Sequence, residues 1–249
     1  HMIADVPVGA FLSGGVDSSI ITTLMQKIRG DSKIKTFTVG FDDLTEGIEA
    51  KETSSFLGTE HIEITVGREE YFEALSKAIY HFDEPVADPS AIGLHFVAKE
   101  ARKHVKVVLS GEGSDELFGG YNIYLAPFAR KKLVWLPQFL VNGIVKIFDL
   151  FNLKFWGTNY LRRLSMKLED WYIGNATIFK DGEINKIWKG GANEKFSLKN
   201  LYEKVDTESD SVKMQYVDIN TWLVGDILAK ADKMTMANSL ELRVPFLDI

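Results

Sequence analysis

The chain has 249 residues, 45% hydrophobic and 26% charged, enough for one large α/β core or a core with a smaller helical part. Its net charge of −6 disfavours the basic face that nucleic acid requires, and its lack of cysteine excludes a disulfide framework, thiolate catalysis and zinc-thiolate sites, in keeping with a reducing, cytoplasmic compartment. With no signal peptide and no membrane-length apolar run in view, neither nucleic acid nor a membrane is expected as a partner.

The first element is an apolar strand that ends at Leu12 and delivers Ser13-Gly-Gly-Val-Asp-Ser-Ser19 into a helix, where Ile20, Ile21, Leu24, Met25 and Ile28 recur at helical spacing until Arg29-Gly-Asp-Ser32 stops it. Gly14 and Gly15 allow close backbone approach to a polyphosphate, the helix start aims N–H groups at the anion, and Ser13, Ser18 and Ser19 add hydroxyl donors. Asp17 beside a phosphate makes sense mainly if a divalent cation bridges the two, so magnesium is implied. The common nucleotide loop with its G-K-[ST] ending is absent. The segment instead resembles the pyrophosphate loop of enzymes that cleave ATP between its α and β phosphates. An ordinary capped strand-to-helix turn is the plain alternative.

A second strand is expected over Ile34 to Val39, a helix in the charged stretch that runs to Leu57, and a third strand at His61 to Val66, where Ile62, Ile64 and Val66 alternate with polar residues. Helical patterns at 69 to 81 and 90 to 104 precede a fourth strand at Val105 to Leu109. Strands alternating with helices predict a parallel sheet with right-handed crossovers, whose ligands bind outside the carboxyl ends of the strands. From Ala126 onward aromatic-rich segments such as Val134 to Pro137 and Phe148 to Trp156 predict a helical second region, with core or interdomain packing expected for Phe139 to Phe155 and an amphipathic membrane or partner surface as the alternative.

After the fourth strand, Ser110-Gly-Glu-Gly-Ser-Asp-Glu-Leu-Phe-Gly-Gly-Tyr121 brings three acids and four glycines to one turn. Glu112 and Asp115 offer charge for a cation, an ammonium group or a base, while the bland account is a helix start whose acids favour the dipole. The dispersed histidines follow no metal-ligand spacing.

Ser13 to Ser19, Thr36-Phe-Thr-Val-Gly-Phe41, Ser110 to Tyr121, and Lys233-Met-Thr-Met-Ala through Glu241-Leu-Arg-Val-Pro-Phe-Leu-Asp248 together resemble, in the same order, the synthetase domain of glutamine-hydrolysing asparagine synthetases. The resemblance implies an adenine nucleotide alpha hydrolase-like, ATP-pyrophosphatase α/β core over residues 1–125 and a mostly helical part over 126–249 that returns to the active site at 226–248. It implies ATP and Mg2+ as cofactors, with aspartate adenylated on its side-chain carboxylate, pyrophosphate released, and ammonia displacing AMP to give asparagine. Leu12, Val39, Ser110 and Gly111 would then line the nucleotide site, and Ser13, Gly14, Gly15, Asp17, Ser18 and Ser19 would hold pyrophosphate. Asp17 and Asp115 would be the magnesium-associated acids, Glu112 the acid facing the adenylate, and Lys233 the cation near the phosphates, with Lys230 one turn away able to share that role. Arg243 is expected to pair with an acid such as Glu241, and His61 has either a family role or strand-end packing.

The segment Asp83 to Ser90 resembles the stretch that approaches the amino-acid substrate, without the arginine some members carry there. Adenylation of another carboxylate, in β-lactam closure or amidation of a sugar or peptide, and a non-catalytic nucleotide-binding module stand as alternatives. His1-Met2 reads as a cloning scar and both ends as cut from a longer chain. An N-terminal glutaminase domain is expected in that parent, a homodimer is one expectation for its assembly, and the piece by itself is expected to bind ATP but turn over poorly.

Overall fold

The computed structural model describes residues 1–41, 46–83, 88–131, 138–150, 161, 163–164, 166–175, 186–188 and 198–248. The aromatic segments at 134–137 and 151–156 and the middle of the 83–90 segment lie outside the described residues. The chain forms two compact units, His1–Ser114 with Val224–Ile249, and Asp115–Leu223.

The first unit is built on β1 (Val8–Phe11), β2 (Lys35–Phe41), β3 (Glu60–Val66), β4 (Val107–Leu109) and β5 (Glu241–Arg243). All neighbouring pairs are parallel and the order is β3-β2-β1-β4-β5. The parallel sheet flanked by helices is the fold class expected. Helices α1 (Val16–Arg29), α2 (Glu46–Leu57), α3 (Arg68–Phe82) and α4 (Ser90–Ala101) fall between the first four strands.

Alternation along the strands sorts the core onto two faces. Val8, Ala10, Val107 and Leu109 pack with Ile21 and Met25 of α1 on one side, while Phe37 and Val108 pack with Val97, Ala98 and Ala101 of α4 on the other. On α1 the apolar residues divide. Met25 is 1% exposed but Leu24 is 54% exposed, and Ile20 and Ile28 share the outward side, so only part of the expected apolar face reaches the sheet. Gln26 closes the helix end, donating to the carbonyls of Gly30 and Ser32 at 2.9 and 3.1 Å and accepting from the Ile34 N–H at 3.0 Å. Helix α3 meets α4 and the late helix α11 (Ala229–Met236) around Phe82, Ile92 and Met234.

Strand β5 comes from the motif that was expected to return to the site. It is fastened to β4 at both ends, by the Glu241 N–H on the Lys106 carbonyl at 3.0 Å and by the Ser110 N–H on the Arg243 carbonyl at 3.0 Å.

The second unit opens with α5 (Ser114–Phe118, whose first residue belongs to the first unit) and a 3-10 turn, Asn122–Leu125. It continues through α6 (Ala126–Lys131), α7 (Gln138–Leu150), α8 (Leu168–Trp171), α9 (Lys199–Lys204) and α10 (Asp210–Asn220). Its hub is Asp218, fully buried, which accepts from the Tyr124 hydroxyl at 2.6 Å, from the Tyr172 hydroxyl, and from the Asn175 N–H at 3.0 Å. Burial pushes the Asp218 carboxyl above its ordinary value, against the pull of the two tyrosines. Among the described residues no helix is long and apolar enough to cross a membrane.

Candidate active site

The strand order reverses direction between β1 and β4: β2 and β3 extend from one edge of β1, while β4 and β5 extend from the other. Ligands of open parallel sheets sit outside the carboxyl ends of the strands at such a switch point. Ala10 is in register with Leu109, so the loops that leave β1 and β4 emerge side by side.

The β1 loop is folded on its own serines. The Ser13 N–H donates to Ser18 Oγ at 3.2 Å, the two hydroxyls lie 3.1 Å apart, and Ser18 and Ser19 donate to the Gly15 carbonyl at 3.2 and 2.7 Å. Gly14 has a φ of +80°, and a Cβ there would stand 2.7 Å from Glu49 Cβ and 2.8 Å from the Ala50 nitrogen. Only glycine meets both demands. Leu12 is buried; its N–H donates to the Phe37 carbonyl at 3.0 Å and its own carbonyl accepts from the Thr38 hydroxyl.

The β4 loop closes against this one. A Cβ on Gly111 would come within 3.1 Å of Asp17 Cβ and 3.2 Å of the Ser18 nitrogen, and one on Gly113 would strike the Leu247 side chain at 2.5 Å. Residues 13–19, 110–113 and the 3-10 turn Pro245–Leu247 are thereby gathered in the first unit. Ser110 is buried and Glu112 half-buried in this turn. Val39 lies in β2, paired with Ile64 of β3, with its side chain packed toward α4.

Asp115 opens the second unit in the first turn of α5, its carbonyl accepting from the Gly120 N–H at 2.9 Å. Glu116, next to it in sequence, is buried and takes the Tyr121 hydroxyl at 2.9 Å; burial raises its carboxyl above the ordinary value. Among the described residues no three His, Asp or Glu side chains gather into a cluster that would hold an ion alone. A magnesium ion held by one or two carboxylates and the substrate's own phosphates needs no such cluster. Asp17, in the first turn of the helix that follows the glycine loop, has the donor chemistry and the place for it.

The two late lysines diverge. Lys233 pairs with Asp83, and Lys230 is buried against Asp88 and Ser90. Burial pushes the Asp88 carboxyl up, but the hydrogen bonds from Lys230 and Ser90 outweigh it, and the net shift is downward. Asp226 adds a second acid beside Asp88, raised by burial and then by the charge of Asp88. Sequence reasoning missed Asp83 and Asp88 as lysine partners; the signal available was only a pair of acids bracketing 84–87. Arg243 does pair with Glu241, at 2.7 Å, as expected. His61 lies beside Thr36 on the neighbouring strand, 3.0 Å from its hydroxyl, and burial lowers its pKa, which favours the packing account over a site role.

The family model for asparagine synthase matches residues 1–249, and the chain belongs to that family. It is 50% identical to asparagine synthetase [glutamine-hydrolyzing] 1 of Bacillus subtilis, covering 100% of this chain and 40% of the relative. Over 143 residues, 53% of this chain and 24% of the relative, it is 35% identical to asparagine synthetase [glutamine-hydrolyzing] 2 of Oryza sativa. Over 147 residues, 53% of this chain and 26% of the relative, it is 33% identical to asparagine synthetase B [glutamine-hydrolyzing] of Escherichia coli. The chain thus spans well under half the length of these relatives.

Proposed function

We propose that this member of the asparagine synthase family carries the ATP-dependent, amide-forming step of an asparagine synthetase. A side-chain carboxylate oxygen of aspartate attacks the α-phosphorus of ATP, the bond to the bridging oxygen breaks, and pyrophosphate leaves. Ammonia then attacks the β-aspartyl adenylate at its carbonyl carbon, loses a proton, and expels AMP to give asparagine. The parent chain would draw that ammonia from glutamine through an N-terminal glutaminase domain; the relatives are named as glutamine-hydrolyzing.

The observation that carries this reading is the glycine loop at the switch point, closed against Gly111 and packed at Gly14 onto α2. Its N–H groups and the hydroxyls of Ser13, Ser18 and Ser19 would cradle the pyrophosphate at the start of α1. The backbone at Leu12, Val39, Ser110 and Gly111 would border the adenosine. Asp17 would hold magnesium, which when bound would neutralise charge on the leaving pyrophosphate. Lys233 would offset charge at the pentavalent phosphorus, and Glu112 would take the proton released by the attacking ammonia.

The test is pyrophosphate release with magnesium-ATP and ammonia, comparing aspartate with other carboxylates and with none. Aspartate-dependent release that disappears in Asp17→Ala supports the assignment. Absence of ATP binding by a folded sample would refute it, and release driven better by another carboxylate would move the acceptor while keeping the adenylation.

A further inference from the structure

The two lysines one helical turn apart on α11 are held in opposite ways. The Lys230 side chain is 8% exposed and donates to Asp88 Oδ2 at 2.6 Å and to Ser90 Oγ at 2.9 Å. Asp88 also accepts from the Ser90 N–H at 2.8 Å, so this cation fastens α11 to the start of α4. Lys233 instead pairs with Asp83 in the open, with side chains 40% and 76% exposed. Asp83 caps the end of α3 in the left-handed conformation, with a φ of 67° and its N–H on the Ile79 carbonyl at 3.1 Å, so its backbone is fixed at the helix end.

Breaking a buried pair strands a charge away from water, whereas an exposed pair is easily given up to a denser anion. We infer that Asp83 is a positioning residue for Lys233: it holds the ammonium in the nucleotide-free protein and competes with the polyphosphate for it, while Lys230 anchors the helix and takes no part in the exchange. The inference rests on the reading of Lys233 as a phosphate-facing cation. A pyrophosphate group carries more charge than one carboxylate and accepts through several oxygens, so its binding transfers Lys233 from Asp83 and returns that carboxylate to water.

The left-handed backbone makes the test clean, because asparagine tolerates that conformation and removes only the charge. Binding of magnesium pyrophosphate is measured by calorimetry for the wild type, Asp83→Asn, Lys233→Met and the double variant. Asp83→Asn is expected to tighten binding about two- to five-fold, the range that exposed ion pairs span, and to change nothing once Lys233 is gone. Asp83→Gly, which enters the same backbone region without strain, gives the same reading should the asparagine variant misfold. If Lys233→Met weakens binding but Asp83→Asn leaves it unchanged or weaker, the inference fails alone. Tightening of equal size with and without Lys233 also overturns it, because simple repulsion by Asp83 would then suffice. If Lys233→Met binds as tightly as the wild type, or the wild type does not bind, the phosphate reading of Lys233 falls and takes the inference with it.

Discussion

Replacing Gly14 with alanine tests whether the glycine loop is shaped by its own geometry. At a φ of +80° an alanine side chain costs about 1–2 kcal/mol, because its Cβ crowds the following carbonyl. The same Cβ would stand 2.7 and 2.8 Å from Glu49 Cβ and the Ala50 nitrogen, atoms of a helix that cannot rotate aside. Overpacking of that kind costs about 1–3 kcal/mol more. Gly15 is the internal control, since its φ is −67° and a Cβ there would meet only the Ser13 hydroxyl, at 3.4 Å. Its replacement by alanine loses the preference of the helix start for glycine, about 1 kcal/mol or less. At about 2–4 °C per kcal/mol for a chain of this size, Gly14→Ala should lower the melting temperature by about 4–20 °C, and Gly15→Ala by no more than about 4 °C. Melts followed by circular dichroism, with magnesium-pyrophosphate binding at a temperature where both variants are folded, read the two effects separately. Equal shifts for the two variants would refute the claim that α2 and the left-handed turn together exclude a side chain at Gly14.

Glu112→Gln should leave ATP–pyrophosphate exchange with aspartate within a few-fold of normal while asparagine formation falls about 10²–10⁴-fold, because only the second step needs the proton acceptor; equal loss in both assays would count against that role. Met25→Ala should cost about 2–5 kcal/mol in urea unfolding, being 1% exposed against the sheet. Leu24→Glu, at a site 54% exposed, should stay within about 0.5 kcal/mol, and the reverse ranking would mean that α1 packs by its other face. Burial raises the Asp218 carboxyl above its ordinary 3.8, so its contribution is complete below that value and is lost as pH rises through the native one. Asp218→Asn, which cannot ionise, should therefore gain on the wild type as urea unfolding is repeated from about pH 4 to about pH 7; a difference that does not change with pH would show that Asp218 titrates as it does in the unfolded chain.

Much of the first unit was legible because its signals are local. Alternation at Ile62, Ile64 and Val66 marks β3, and a glycine pair between an apolar run and a helical pattern marks the loop. The order of strands was not legible, since it depends on which strand pairs with β1, and nothing in Val105 to Leu109 states that partner. Strand β5 escaped for a related reason. Three residues are too few for a period, and Glu241–Arg243 becomes a strand only because β4 supplies an edge on which to hydrogen-bond. The apolar spacing of α1 was read correctly as helical but could not say which part of its broad stripe faces the sheet, and Leu24 and Met25, adjacent in sequence, went to opposite environments.

The lysines make the same point within the site itself. Spacing along the chain places Lys230 and Lys233 one turn apart, and on that information they are interchangeable. Their difference is created by residues 140 or more positions away: Asp88 and Ser90 at the start of one helix bury the first lysine, and Asp83 at the end of another leaves the second in water. A lysine that has already lost its hydration to two fixed partners gains little from a phosphate, because it would have to abandon them and leave the half-buried Asp88 without its cation. A half-exposed lysine paired with an exposed carboxylate keeps most of its charge to offer. The division between anchor and exchangeable cation is therefore set by tertiary burial, and the choice of Lys233 over Lys230 as the phosphate-facing residue gains a physical reason beyond its place in the motif.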